Sequence, residues 1–186
     1  DHLVIDSIVG GSVPRGGAIL RSGARPGDEI YVSGRLGGAA AGLQSLQRGE
    51  RLGSLADKQL LKVLLRQLRP NPQVRAAAFL ISSAIPTAMI DISDGLSSDL
   101  NHLIEASGVG ARLWMESIPI DDYAFISATS RTALENALHG GEDFELLFTV
   151  DPKKISPDKL ANFHRIGLIT TNEGIIELIV DGETQI

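Results

Sequence analysis

Between residues 87 and 104 the apolar pattern changes its period, and the fold must satisfy both halves of that change. Residues 87–92 read as a short buried strand, whereas Leu96, Leu100, Leu103 and Ile104 recur at helical spacing. The junction is Asp91-Ile92-Ser93-Asp94-Gly95-Leu96, which carries two carboxylates and a hydroxyl. A strand-to-helix junction at the end of a sheet is where proteins of mixed α and β structure place ligands. Oxygen-only side chains there suit a hard cation such as Mg²⁺, which in turn suits a polyphosphate.

The rest of the chain narrows the classes. At 186 residues it is one large domain, or one domain with part of another. A hydrophobic share of 43% is enough for a proper core. No apolar run reaches the roughly 18 residues that span a bilayer, so no membrane partner is expected. The absence of cysteine excludes disulfides, thiolate metal sites and a Cys nucleophile, and agrees with a cytoplasmic setting. A net charge of −6 with scattered Lys and Arg argues against a nucleic-acid partner. With only 4% aromatic residues, a base-stacking platform is not expected either.

A strand is expected over residues 3–9 and a short helix over 18–22, closed by Gly23. Arg25-Pro26-Gly27-Asp28 is turn chemistry, and a domain boundary is expected near residue 27. Further helices are expected over 39–47, 58–68 (N-capped by Asp57), 73–83, 96–106 and 131–139. Strands are expected over 29–33, 112–115 and 144–150, and a final strand pair within 165–180 turns at Asn172-Glu173-Gly174. There is no initiating Met, and the last residues stop just after a hairpin, so a fragment of a longer chain is expected.

Asp91 and Ser93 are two apart and share one side of an extended strand, and Asp94 can swing toward them from the turn. The competing reading is that Ser93 or Asp94 merely caps the following helix. Capping leaves Asp91 unexplained, because a carboxylate inside an apolar strand needs a partner if buried. Gly140-Gly141-Glu142-Asp143-Phe144-Glu145 is a second acidic knot, whose glycines permit close approach. Alternation puts Glu142 and Asp143 on opposite faces, so one of them meets solvent or a groove. The competing reading is a pair of ordinary strand-entry acids. Arg21, between glycines, has the fork that binds phosphate, though a plain surface arginine is the simpler reading. The four histidines show no metal spacing, and no Walker loop or dinucleotide fingerprint is present.

Arg21-Ser22-Gly23-Ala24-Arg25-Pro26-Gly27-Asp28, Asp91-Ile92-Ser93-Asp94-Gly95-Leu96-Ser97-Ser98-Asp99-Leu100, Ser107-Gly108-Val109-Gly110-Ala111 and Gly140-Gly141-Glu142-Asp143-Phe144-Glu145-Leu146 occur in this order. In that set the chain resembles the C-terminal two-thirds of bacterial thiamine-monophosphate kinases, within the superfamily of aminoimidazole ribonucleotide synthetase. The resemblance implies an α+β fold: a layered α/β/α C-terminal domain over 28–186, preceded by a remnant of an N-terminal ATP-binding domain over 1–27. It implies transfer of the ATP γ-phosphoryl to thiamine monophosphate, with several Mg²⁺ ions and a homodimer. Asp91 and Asp94 would be the metal ligands, Arg21 and Ser93 the ATP contacts, and Glu142 a contact to thiamine monophosphate. Asp143 matches the motif without an implied role. The family's N-terminal aspartates, its Gly-Gly-Asp phosphate segment and its C-terminal aromatic contact have no counterpart here, which implies half a site. A sister ATP-dependent synthetase, or a binding and dimerisation module without activity, are the alternatives.

Overall fold

The structure, a computed structural model, describes residues 8–52, 58–125 and 130–185, together with Val4 and Asp6. Among these residues, seven strands form one sheet: β1 (Glu29–Val32), β2 (Pro86–Ile92), β3 (Gly110–Trp114), β4 (Glu145–Val150), β5 (His164–Thr170), β6 (Ile176–Val180) and β7 (Glu183–Gln185). Their order is β2-β4-β1-β5-β3-β6-β7. β3 and β6 run parallel, and the other pairings are antiparallel. The helices are α1 (Gly38–Gln47), α2 (Lys58–Leu68), α3 (Val74–Ser82), α4 (Leu96–Ser107) and α5 (Ser130–His139).

Strand alternation sorts the side chains into two layers. Ile30, Val32, Ala88, Ile92 and Leu147 point to one face, where Leu96, Leu100, Leu103 and Ile104 of α4 and Leu134 and Leu138 of α5 close over them. Tyr31, Phe148 and Val150 point to the other, under Leu80 of α3, Leu160 and Phe163. α1 and α2 join α5 through a smaller cluster of Ala41, Val63, Ala124 and Ala133. The result is the expected α+β architecture with helices on both sides of the sheet.

Two expectations are corrected. The helix over 18–22 does not form; residues 8–28 contain no helix or strand. Five residues between helix-breaking glycines cannot repay the cost of a first helical turn. The segment instead lies along β2, where the Met89 N–H donates to the Leu20 carbonyl (2.9 Å). The final strand pair is not a hairpin either, because β3 lies between β5 and β6. Asn172-Glu173-Gly174 does turn, with the Ile175 N–H on the Asn172 carbonyl (3.0 Å) and Gly174 at φ 72°. Turn chemistry fixes the reversal, whereas the choice of neighbour is made by burying Ala111 and Leu113 of β3. Most of the strand expected over 3–9, and the Asp57 cap, lie outside the described residues; Ile8 and Val9 are exposed and not in a strand. The 25–28 turn is as expected, with the Asp28 N–H on the Arg25 carbonyl (2.9 Å).

Candidate active site

β2 is an edge strand, and its C-terminal end delivers Asp91 and Asp94 to an exposed turn ahead of α4. Asp91 is therefore not a buried strand carboxylate in need of a partner; its edge position leaves it in solvent. Neither Ser93 nor Asp94 caps α4, whose N-cap is Gly95 with no side-chain cap bond. The turn is held from inside the helix. Buried Asp99 reaches back, and its Oδ2 accepts the N–H groups of both Ser93 and Asp94 (3.0 Å each). Burial pushes the Asp99 carboxyl above its ordinary range; the two N–H bonds oppose the shift, and the charges of Asp94 and Asp91 add to it. Three carboxylates thus crowd one turn, and a divalent cation would relieve their repulsion.

The second motif is bonded directly to the first. The Glu142 N–H donates to the Ser93 carbonyl (2.8 Å) and the Phe144 N–H to the Ile92 carbonyl (2.9 Å). Both donors sit in left-handed backbone, at φ 68° and 51°, a conformation that ordinary side chains adopt at a cost of about 1–3 kcal/mol. Gly141 makes the approach possible, since a Cβ there would lie 2.6 Å from the Ser93 carbonyl oxygen. A Cβ on Gly140 would strike Ala40 of α1 at 2.5 Å. Gly140 thus serves sterically, as the glycines of this motif were expected to: it lets α1 and α5 close on the turn.

The three acids of this motif part company. Asp143 is 4% exposed, and its carboxylate accepts the N–H of Gly37 (2.6 Å) and of Ala39 (3.0 Å). It caps α1 from another segment of the chain, which gives it a structural role that sequence had left open. Glu145, equally buried, accepts from the Ser33 hydroxyl (2.6 Å) and the Gln73 amide (3.2 Å). Arg66 of α2 lies between these acids, 3.9 Å from Asp143 Oδ1, 3.9 Å from Glu145 Oε1 and 2.9 Å from Asp121 Oδ2. The last contact is an ion pair whose angle is too poor for an aligned hydrogen bond. Burial raises both carboxyls above their usual range, against the pull of their donors and Arg66.

Glu142 is the exposed one. It borders a cleft of about 790 Å³ between α1, α2 and α5, lined also by Gln44, Gln67, Asn136 and His139. Gln67 Nε2 donates to Glu142 Oε2 (2.7 Å), and Gln44 Nε2 to Asn136 Oδ1 (2.9 Å). The cleft is rich in amides, with Glu135 and Glu142 as its acids.

Asp91, Ser93, Asp94 and Glu142 are thus gathered at one end of β2. Arg21 lies alongside the middle of β2, next to the Leu20–Met89 bond, and its carbonyl accepts from Ser107 Oγ (3.4 Å) at the C-terminal end of α4. Mg²⁺ commonly takes one or two protein carboxylates and completes its shell with water and phosphate. Exposed Asp91 and Asp94 fit that share of a shell. Among the described residues, no three His, Cys, Asp or Glu side chains are arranged to hold a metal unaided. Asp99, Arg66, Gln67 and Asp121 escaped sequence reading. Only Asp99 carried a signal, as an acid in the first turn of an apolar helix.

The family of AIR synthase related protein, C-terminal domain, matches residues 25–183. Thiamine-monophosphate kinase of Salmonella typhimurium is 45% identical over 140 residues, which cover 75% of this chain and 42% of that protein. The crystal structure of thiamine-monophosphate kinase from Stenotrophomonas maltophilia K279a superposes with TM-score 0.82 at 35% identity, over 93% of this chain and 56% of that one. A complex of AaThiL with AMPPCP and TMP superposes at 0.74 with 32% identity, over 90% and 52%. The chain spans about half the length of these relatives. It belongs to the AIR synthase related family, whose C-terminal domain it matches over most of its length.

Proposed function

We propose that the chain supplies the C-terminal half of an ATP- and Mg²⁺-dependent kinase that phosphorylates thiamine monophosphate to thiamine diphosphate by direct in-line transfer. The observation that carries this reading is the Glu142 N–H to Ser93 carbonyl bond, which joins the 91–94 turn to the rim of the amide-lined cleft. The complex of AaThiL with AMPPCP, an ATP analogue, and TMP supports it.

In this reading Asp91 and Asp94 hold Mg²⁺, which when bound neutralises phosphate oxygens. Ser93 contacts ATP, and Arg21 contacts it when residues 1–27 are carried by a complete N-terminal domain. Asp99 fixes the turn by holding its two amides, so the Asp94 carboxylate is aimed before substrate arrives. Glu142, oriented by Gln67, accepts a hydrogen bond from the aminopyrimidine, and the acids of the cleft suit the cationic thiazolium ring. The acceptor is already an ionised phosphate, so no strong general base is needed, and the protein's task is to align two anions. The enzyme works as a cytoplasmic homodimer.

The test is ADP release with thiamine monophosphate, comparing this chain with a version extended upstream by the family's N-terminal domain. Asp94→Asn in the extended protein should lower kcat at least about a hundredfold, as for loss of an electrostatic contribution at the transition state. Unchanged turnover at saturating Mg²⁺ would remove Asp94 from the mechanism.

A further inference from the structure

On the face of the sheet opposite α4 lies a second cleft of about 560 Å³, walled by α3 and residues 159–163. It lies within the usual size range of small-molecule sites. Its chemistry differs from that of the Glu142 cleft. Tyr31, Phe148, Phe163 and Phe79 form a continuous run, with centroids 5.6, 5.1 and 6.2 Å apart from core to surface. That run takes half of the chain's five Phe, two Tyr and one Trp. It ends at the cleft with Phe79, 40% exposed, and half-buried Phe163 also lines it.

Two cations stand on the walls, Arg75 and Lys159, both exposed. Among the described residues neither has a carboxylate partner. In a chain of net charge −6, that is a local excess of positive charge. Asn162 and Ser83 add hydrogen-bonding groups. Of the nearby acids, exposed Asp158 adjoins Lys159 without pairing with it among the described residues, and Glu145 sits behind the floor, already bonded to Ser33 and Gln73 and facing Arg66.

We propose that this cleft binds a small planar aromatic anion, its ring on Phe79 and its acid group between Arg75 and Lys159. Ring stacking selects planarity, and a guanidinium with an ammonium selects a carboxylate or phosphate. The site shares no lining residue with the Glu142 cleft. It therefore stands or falls independently of the kinase reading.

The test is a titration of the chain with 1-naphthyl phosphate, 1-naphthoate and neutral 1-naphthol, followed by amide NMR shifts. The expected result is saturable binding of an anion at or below about 1 mM. Shifts should centre on residues 73–83 and 159–163, with the neutral alcohol at least about tenfold weaker. The tighter of the two anions identifies the acid group. Arg75→Glu with Lys159→Glu, on exposed positions, should weaken the anion at least about tenfold. Phe79→Leu, which keeps the apolar contact and removes the ring, should weaken it about threefold. Glu142→Gln should leave it unchanged. Equal binding of 1-naphthol, indifference to the double charge reversal, loss on Glu142→Gln, or no saturable binding would each overturn the proposal.

Discussion

The acids of the 91–94 turn and the acids behind Glu142 are the same residue types put to opposite uses. Asp91, Asp94 and Glu142 are exposed, and among the described residues no side-chain hydrogen bond or ion pair holds the first two carboxylates in place. Asp99, Asp143 and Glu145 are each no more than 4% exposed, and each accepts two hydrogen bonds. A buried carboxylate survives only when its charge is met by hydrogen bonds or a cation. Once met, it is spent on scaffolding. What remains for chemistry is the exposed set, which the buried set aims.

If that division is right, substitutions should separate cleanly into those that unfold and those that only disarm. The largest loss of stability belongs to Asp143→Ala, which orphans the Gly37 and Ala39 amides and leaves Arg66 short of a counter-charge. Leaving two buried amides without an acceptor costs about 3–5 kcal/mol, readable from urea unfolding. Asp99→Ala should follow at about 1–2 kcal/mol, since two part-buried amides lose their acceptor. In the upstream-extended protein it should also depress turnover, because the Asp94 turn is released.

Glu145 tests the electrostatics through pH. Burial lifts its carboxyl above the ordinary 4.5. The folded state then keeps a proton that the unfolded state has lost. The stability due to this group is therefore complete below the ordinary value and declines as pH rises through the folded one. Relative to Glu145→Gln, which cannot ionise, the parent should lose ground between pH 4.5 and pH 7 in unfolding midpoints. A gap that moves the other way would mean that Ser33, Gln73 and Arg66 outweigh burial. The smallest effect is expected at the exposed set: Asp91→Asn should change stability by no more than about 0.5 kcal/mol. A large loss there would place Asp91 in the scaffold and erase the contrast.

Much of this was legible in the chain. Period-2 and period-3.6 patterns placed β2, α4, α1, α2 and β4 within a residue or two, because each buries an apolar face, α4 against the sheet and α1 and α2 against each other and α5. The two motifs were legible as acids at strand–helix junctions. Their contact was not, since the Ser93 carbonyl and Glu142 N–H are backbone groups 49 positions apart that no side chain announces. Alternation foresaw that one of Glu142 and Asp143 would face a groove, but not that left-handed backbone at Glu142 and Phe144 would reset the register before β4. Arg66 and Gln67 were invisible for another reason. On an amphipathic helix a polar face reads as solvent, and only tertiary packing turned that face of α2 toward three buried acids and Glu142.

The central claim is that Asp91 and Asp94 are held open for a divalent cation. Substoichiometric Mn²⁺ added to the isotopically labelled chain reads this directly, because a paramagnetic ion broadens the amides nearest to it. The account predicts selective broadening of residues 91–95, competed away by Mg²⁺ and abolished in the Asp91→Asn, Asp94→Asn double variant. Broadening centred elsewhere, or persisting at this turn in the double variant, would contradict it.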